Sequence, residues 1–257
     1  MKYSIHLLLF TTLFLGEIDE KIYSLRKYSH VKTFYKSITK KATKICLENN
    51  IPPASLLAIA GLESGWNQGY IGKISGNILS LNSNNKKRQL PALYLPTLIK
   101  ENNVLFDSVK INTYKPSELK WKKRPESYKK DYRPLPFRGT SFNLAYFENN
   151  PKEKTKAHLL NITDFVTTFI GRKSKLRVYR AARKKMDSLV NIHGKKILLD
   201  KKTAINFVNA IGGKPNSYNF RKTWPNKVIY IIEHAGLVKL TQQINNGESF
   251  MIAWNKK

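Results

Sequence analysis

Residues 53–64 constrain the chain more than any other stretch. They read Pro-Ala-Ser-Leu-Leu-Ala-Ile-Ala-Gly-Leu-Glu-Ser, with no charge before Glu63. Pro52-Pro53 suits the start of a helix, because proline is tolerated in a first turn whose N–H groups have no intrahelical acceptor. Gly65 suits the position just past the end, where a left-handed backbone closes the last turn. The predicted helix is apolar nearly all round, so it must be buried. Leu56, Ala60 and Glu63 follow i, i+4, i+7 spacing and share one face. A carboxyl therefore sits in the last turn of a buried helix. The negative end of the helix dipole and the apolar surroundings both disfavour its ionisation. An acid kept protonated near neutral pH can donate to a leaving oxygen. By position alone, Glu63 also suits a structural carboxylate paired with one of the many cations.

Helical periodicity recurs elsewhere. An amphipathic helix is predicted over 37–49, and others over 153–170, 174–192, 201–212 and 222–236. Between about 67 and 136 the pattern fades into Asn, Lys, Pro and aromatics, with short apolar pieces at 91–99 and 104–111. That region reads as loops with a small sheet or hairpin. The expected class is α+β, mainly helical with a small β-containing lobe. Residues 17–36 read as a connector, 37–236 as one domain and 237–257 as a polar C-terminal tail with apolar spots at Phe250, Met251, Ile252 and Trp254. No internal repeat is visible.

Charge and the N-terminal residues narrow the setting. Lys and Arg total 46 against 17 Asp and Glu, a net +29. Such a field favours polyanionic partners, and nucleic acid, anionic membrane and anionic wall polymer all fit. A basic start, an apolar run from Ile5 to Leu15 and Gly16 read as a signal peptide over 1–16. The expected location is therefore exported: periplasm, cell envelope or extracellular space. Export argues against nucleic acid as a partner, and no other apolar run approaches spanning length. Cys46 is the single cysteine, so no intrachain disulfide can form, and its helix-periodic neighbours suggest a packed apolar role. Five scattered His and one Cys give no metal-ligand cluster, and no phosphate loop, dinucleotide fingerprint or nucleophile elbow is present. Neither a metal nor another cofactor is expected.

The segment Ile51-Pro-Pro-Ala-Ser-Leu-Leu-Ala-Ile-Ala-Gly-Leu-Glu-Ser-Gly-Trp66 resembles the glucosaminidase family, glycoside hydrolase family 73. Flagellar peptidoglycan hydrolases and many autolysins belong to it. The other elements follow in the family's order. Gly76-Asn-Ile-Leu-Ser-Leu-Asn82 is similar to its Asn-Leu-Phe-Gly-Ile-Lys element, and Phe137-Arg138 to the Phe-Arg pair leaving its β-lobe. Asn161-Ile-Thr-Asp-Phe-Val166 resembles the helix that follows, and Val178-Tyr-Arg-Ala181 the Arg-Tyr-Ala stretch. Tyr218-Asn-Phe-Arg-Lys-Thr-Trp-Pro-Asn-Lys-Val228 stands where the family has Tyr-Ala-Thr-Asp-Pro-x-Tyr-x-x-Lys-Ile. Tyr218 and Lys227 match, Trp224 replaces the second Tyr, and the Asp-Pro pair is lost. The resemblance covers roughly 38–236.

What the resemblance implies is a lysozyme-like fold and a β-N-acetylglucosaminidase that cleaves the β-1,4 bond after GlcNAc in peptidoglycan. Glu63 is then the catalytic acid, and the partners are peptidoglycan glycan strands and anionic wall polymers. Glycosidases generally place two carboxylates across the bond, although assistance by the substrate's own acetamido group is a known exception. The family carries its second Glu in the β-lobe. The choices here are Glu101, Asp107, Glu118, Glu126 and Asp131, with Glu101 preferred as the first acid after the motif. Trp66, Asn77, Tyr218 and Trp224 are the expected sugar contacts, since glycan clefts combine ring faces with a few polar groups. Two alternatives stand beside this reading. One is a lytic transglycosylase on the same fold, which shares the Glu-Ser-Gly triplet but typically has a Gly-Leu-Met-Gln motif absent here. The other is a non-catalytic basic wall-binding protein.

Overall fold

The structure is a computed structural model describing residues 23–124, 127–141 and 144–256. The signal-peptide reading over 1–16 lies outside the described residues.

The chain builds a mainly helical α+β fold with a small antiparallel β-lobe. Helix α1 spans Ser29–Glu48 and α2 spans Pro53–Ser64. A short α3, Tyr70–Ser75, leads into the lobe. The lobe contains β1 (Gln89–Leu90), β2 (Leu93–Leu98), β3 (Asn103–Val104), the one-turn α4 (Ser108–Ile111), β4 (Leu119–Arg124) and β5 (Ser127–Lys130). The helical part resumes with α5 (Tyr146–Asn149), α6 (Pro151–Asp164), α7 (Arg177–His193), α8 (Lys201–Ile211) and α9 (Trp224–His234). Helices α10 (Leu237–Asn245) and α11 (Phe250–Asn255) complete it. Among the described residues, no helix is long and apolar enough to cross a membrane.

Helix α2 is the hub. Residues Pro53 to Gly61 are all buried, and α1, α8, α9 and α10 pack around it. Its one early polar side chain, Ser55, donates to the Ala204 carbonyl of α8 at 2.8 Å, so burying it leaves no orphan group. The helix ends as its sequence predicts, with Gly65 left-handed at φ 56°. Trp66 (φ 51°) and Asn67 (φ 63°) continue in the same region. Left-handed backbone costs an ordinary residue about 1–2 kcal/mol. Here Ser64 Oγ accepts from Asn67 N at 2.9 Å and the Gly61 carbonyl accepts from Trp66 N at 2.9 Å, which holds the turn.

In the lobe, β1 pairs with β5 and β2 with β4 as two separate antiparallel ribbons, the second with Leu93 opposite Arg124 and Leu98 opposite Leu119. β3 flanks β2 on the other side. Ile74, Leu90, Leu93, Leu95 and Phe106 make a second, smaller core beneath it.

Two sequence boundaries are corrected. The first helix begins at Ser29, so the connector read over 17–36 overlaps it. Val31, Phe34, Tyr35 and Ile38 are buried at helical spacing and extend the amphipathic face N-terminally. The stretch 237–257 is no tail either, since Leu237, Leu240, Ala253 and Trp254 are buried in the main core. Arg26 seals this end. Its guanidinium donates to the Ala235 carbonyl at 2.9 Å, to Gly236 at 3.2 Å and to the carbonyl of Trp254, and it lies 4.9 Å from the Trp254 ring centroid.

Candidate functional site around Glu63

Glu63 stands at the C-terminal end of α2, partly buried, where the hub helix reaches the surface. Its Oε1 accepts a hydrogen bond from Trp224 Nε1 at 2.9 Å. Trp224 is the first residue of α9 and is 3% exposed. Its ring lies where a Cβ on Gly212 would come within 2.2 Å, so glycine is required there. Packing thus fixes the indole, and the indole fixes the carboxyl.

Burial raises the Glu63 pKa above the ordinary carboxylate value. The Trp224 hydrogen bond and the charges of Lys129 and Arg221 pull the other way without cancelling it. Lys129 comes from β5, and its Nζ donates to the Ser80 carbonyl at 2.7 Å. Burial lowers its own pKa, and Glu63 partly restores it. Tyr218 completes the surroundings. Its hydroxyl donates to the Leu79 carbonyl, its ring centroid is 5.3 Å from that of Trp224, and burial together with Glu63 raises its pKa well above normal.

A cavity of about 220 Å³ opens beside the carboxyl, lined by Leu62, Glu63, Asn219, Arg221, Thr223, Trp224 and Lys227. The arrangement can hold a proton on Glu63 and, once it is given up, stabilise the carboxylate with one N–H and two nearby cations. Among the described residues no group of His, Cys, Asp and Glu has the makings of a metal site.

The other expected site residues fall in different places. Trp66 lines a separate cavity of about 270 Å³ with His30, Phe34 and His158. Its left-handed backbone turns the indole back over Gly61, where an added Cβ would lie 2.8 Å from Trp66 Nε1 and 2.7 Å from the Tyr35 hydroxyl. Asn77 is 2% exposed and fully engaged. Its amide donates to the carbonyls of Leu81 (2.8 Å) and Lys130 (2.9 Å), and its oxygen accepts from Leu81 N at 2.9 Å. Asn77 therefore locks the loop after α3 to β5, and its role as a sugar contact is corrected. Asn161 assists from α6, accepting from Ile78 N and Leu79 N, both at 2.9 Å. Trp224, expected as a sugar contact, is a buried donor to the Glu63 carboxyl rather than an exposed ring face.

Glu101 is exposed in the turn between β2 and β3 and does not line the Glu63 cavity. Asp107 caps α4, accepting from Val109 N at 2.9 Å, and Glu118 accepts from Lys115 N at 2.8 Å on the surface. Asp131 and Arg133 form an ion pair of 2.7 Å with both side chains fully buried, and Asp131 also accepts from Gly139 N. Glu126 lies outside the described residues. Among the described residues, Glu63 is the only carboxylate lining its cavity.

Lys129 and Arg221 are the neighbours that sequence reasoning missed. Lys129 is one lysine among many, and nothing local marks it. Arg221 sits inside the Tyr218–Val228 stretch, where its place on the family pattern's Asp was the available signal. Comparison of the chain with known protein families, with curated proteins and with solved structures gives no match.

Proposed function

We propose that the protein is an exported peptidoglycan hydrolase of lysozyme-like architecture, a β-N-acetylglucosaminidase with Glu63 as general acid. One observation carries the reading. Among the described residues, the only acid lining the cavity stands in the last turn of the buried hub helix, has its pKa raised by burial, and is aimed by Trp224 Nε1. Glu63 donates its proton to the glycosidic oxygen as the bond to the anomeric carbon breaks. The resulting carboxylate is held by the indole N–H and by the fields of Lys129 and Arg221. It then takes a proton from the attacking water.

With no second carboxylate lining the cavity among the described residues, the charge developing at the anomeric carbon is met by the substrate's own acetamido oxygen. The same single-acid arrangement favours a second reading, a lytic transglycosylase. There a muramic hydroxyl attacks in place of water and leaves an anhydro end.

Digestion of purified sacculi by wild type and by Glu63→Gln, with products read by mass spectrometry, tests both readings. New reducing GlcNAc ends from wild type alone support the hydrolase, and anhydro-muramic ends support the transglycosylase. Equal silence from two folded proteins refutes both and leaves a basic wall-binding protein whose function survives Glu63→Gln.

A further inference from the structure

We propose that the groove beside the turn after α2 is a binding site for a short peptide of small residues, with His158 and Asn67 meeting its main-chain amide groups. The inference rests on the peptidoglycan reading for the source of that peptide, which is the stem carried by the glycan.

The groove consists of two adjoining cavities. The one of about 270 Å³ that holds Trp66 and His158 shares Asn67, Gln68 and Lys154 with a second of about 140 Å³, which Lys73, Phe106, Phe147 and Glu148 complete. Neither shares a lining residue with the Glu63 cavity. His158, on α6, is 2% exposed, and among the described residues neither of its ring nitrogens has a hydrogen-bond partner. Asn67 Oδ1 is likewise buried and unpartnered. Buried polar atoms are nearly always paired, so three such atoms on residues lining one groove point to a ligand that supplies their partners. The local sequence leaves room for them. An added Cβ at Gly72 would lie 2.8 Å from Asn67 Oδ1, so a side chain there would displace the amide.

The unpaired atoms define the ligand. Burial, and then Lys154, lower the His158 pKa to about 3, so the imidazole is neutral near neutral pH. A neutral imidazole offers one N–H and one accepting nitrogen, and Asn67 Oδ1 adds a second acceptor. That set complements a secondary amide, whose C=O takes the N–H and whose N–H meets an acceptor. Phe34 and Trp66 in the larger cavity suit methyl side chains. The acetamido group of a sugar carries one amide, whereas an extended peptide repeats its amide about every 3.3 Å and serves both cavities. It enters by displacing Gln68 and Lys154 from the rim that the cavities share.

The experiment uses the full chain carrying Glu63→Gln for binding and wild type for cleavage. Calorimetry measures a synthetic stem pentapeptide, and chitotetraose as glycan without peptide. The pentapeptide should bind, and the nitrogen-15 resonances of the His158 ring should shift on saturation. His158→Phe should weaken that binding about tenfold, the size of one lost hydrogen bond. Asn67→Gly should do the same, since glycine accepts the left-handed backbone at φ 63° while removing the amide. His158→Gln, which keeps a donor and an acceptor, should retain most of the affinity. Chitotetraose affinity should be the same in all of these variants. No pentapeptide binding, an affinity unchanged in either folded variant, or chitotetraose as the ligand whose binding these changes remove overturns the proposal. The parent reading fails separately. Wild type that cuts no sacculi, while the pentapeptide still binds, would remove the glycosidase and leave the peptide site. Cleavage without pentapeptide binding would do the reverse.

Discussion

Replacing Trp224 with Phe isolates one interaction at the acid. The indole Nε1 donates to Glu63 Oε1 at 2.9 Å, and Phe keeps an aromatic ring against Gly212 while removing the donor. A hydrogen bond to a charged group contributes about 1.5–3 kcal/mol. The neutral acid also accepts this N–H, more weakly, so roughly half of that difference discriminates between the protonation states. At about 1.4 kcal/mol per unit, the Glu63 pKa should rise by about 0.5–1 unit. The sign follows from what is lost: the donor favours the carboxylate, and without it the proton stays on longer. The other groups acting on Glu63, namely Lys129, Arg221 and Tyr218, are unchanged. The smaller ring should cost about 1–2 kcal/mol of stability, which a folded domain tolerates. Carbon-13 NMR titration reads the carboxyl directly, with Glu63→Gln identifying its resonance. The basic limb of the cleavage profile should move up by the same amount. A pKa that stays put or falls in the folded variant would refute the idea that Trp224 tunes the acid.

Other outcomes follow from the same structure. Because burial raises the folded-state pKa of Glu63 above its unfolded value, its contribution to stability is full below the unfolded pKa, about 4.3, and is lost as pH rises through the folded one. The stability of wild type relative to Glu63→Gln should therefore fall over that window and then level off. Urea midpoints across pH measure this, and a pH-independent difference would contradict it. Asn77→Ala should cost about 2–4 kcal/mol, since it strands the buried backbone groups of Leu81 and Lys130. A loss under about 1 kcal/mol in chemical denaturation would show that water replaces the amide. Truncation after residue 236 should abolish cooperative unfolding in calorimetry, because α10 and α11 supply Leu237, Leu240 and Trp254 to the core. A sharp transition in the truncated chain would restore the tail reading.

Much of the helical framework was legible because its sequence carries one consistent period. The hub helix, its proline start and its Gly65 end are where residues 52–65 place them; α8 and α9 lie within the predicted stretches, and α7 overruns its own by one residue. Strand β2 falls inside the apolar piece 91–99. Strands β4 and β5 were harder to see. Leu-Lys-Trp-Lys-Lys-Arg has no alternating apolar face, since the ribbon is mostly exposed there and its pairing comes from β2. Helices α10 and α11 were hidden by short amphipathic faces diluted with Gln, Asn and Lys. At the site, Glu63 stood out as the single charge on an apolar helix. Its neighbours did not, because Lys129 and Arg221 arrive through tertiary packing from distant segments. Asn77 misled because an amide suited to an acetamido group is equally suited to three backbone partners, and only the fold says which are near.

The Arg26 seal gives the molecule an order of assembly. The N-terminal flank of α1 closes on carbonyls of Ala235, Gly236 and Trp254, and the hub helix needs α10 as a wall. Neither contact exists until α10 and α11 have been synthesised, so a growing chain has no finished core to collapse around. Contacts of such long sequence separation are slow to form. The Arg26 contacts and the α10 wall of the hub helix thus wait for the last two helices to emerge, however early the rest of the chain has been made.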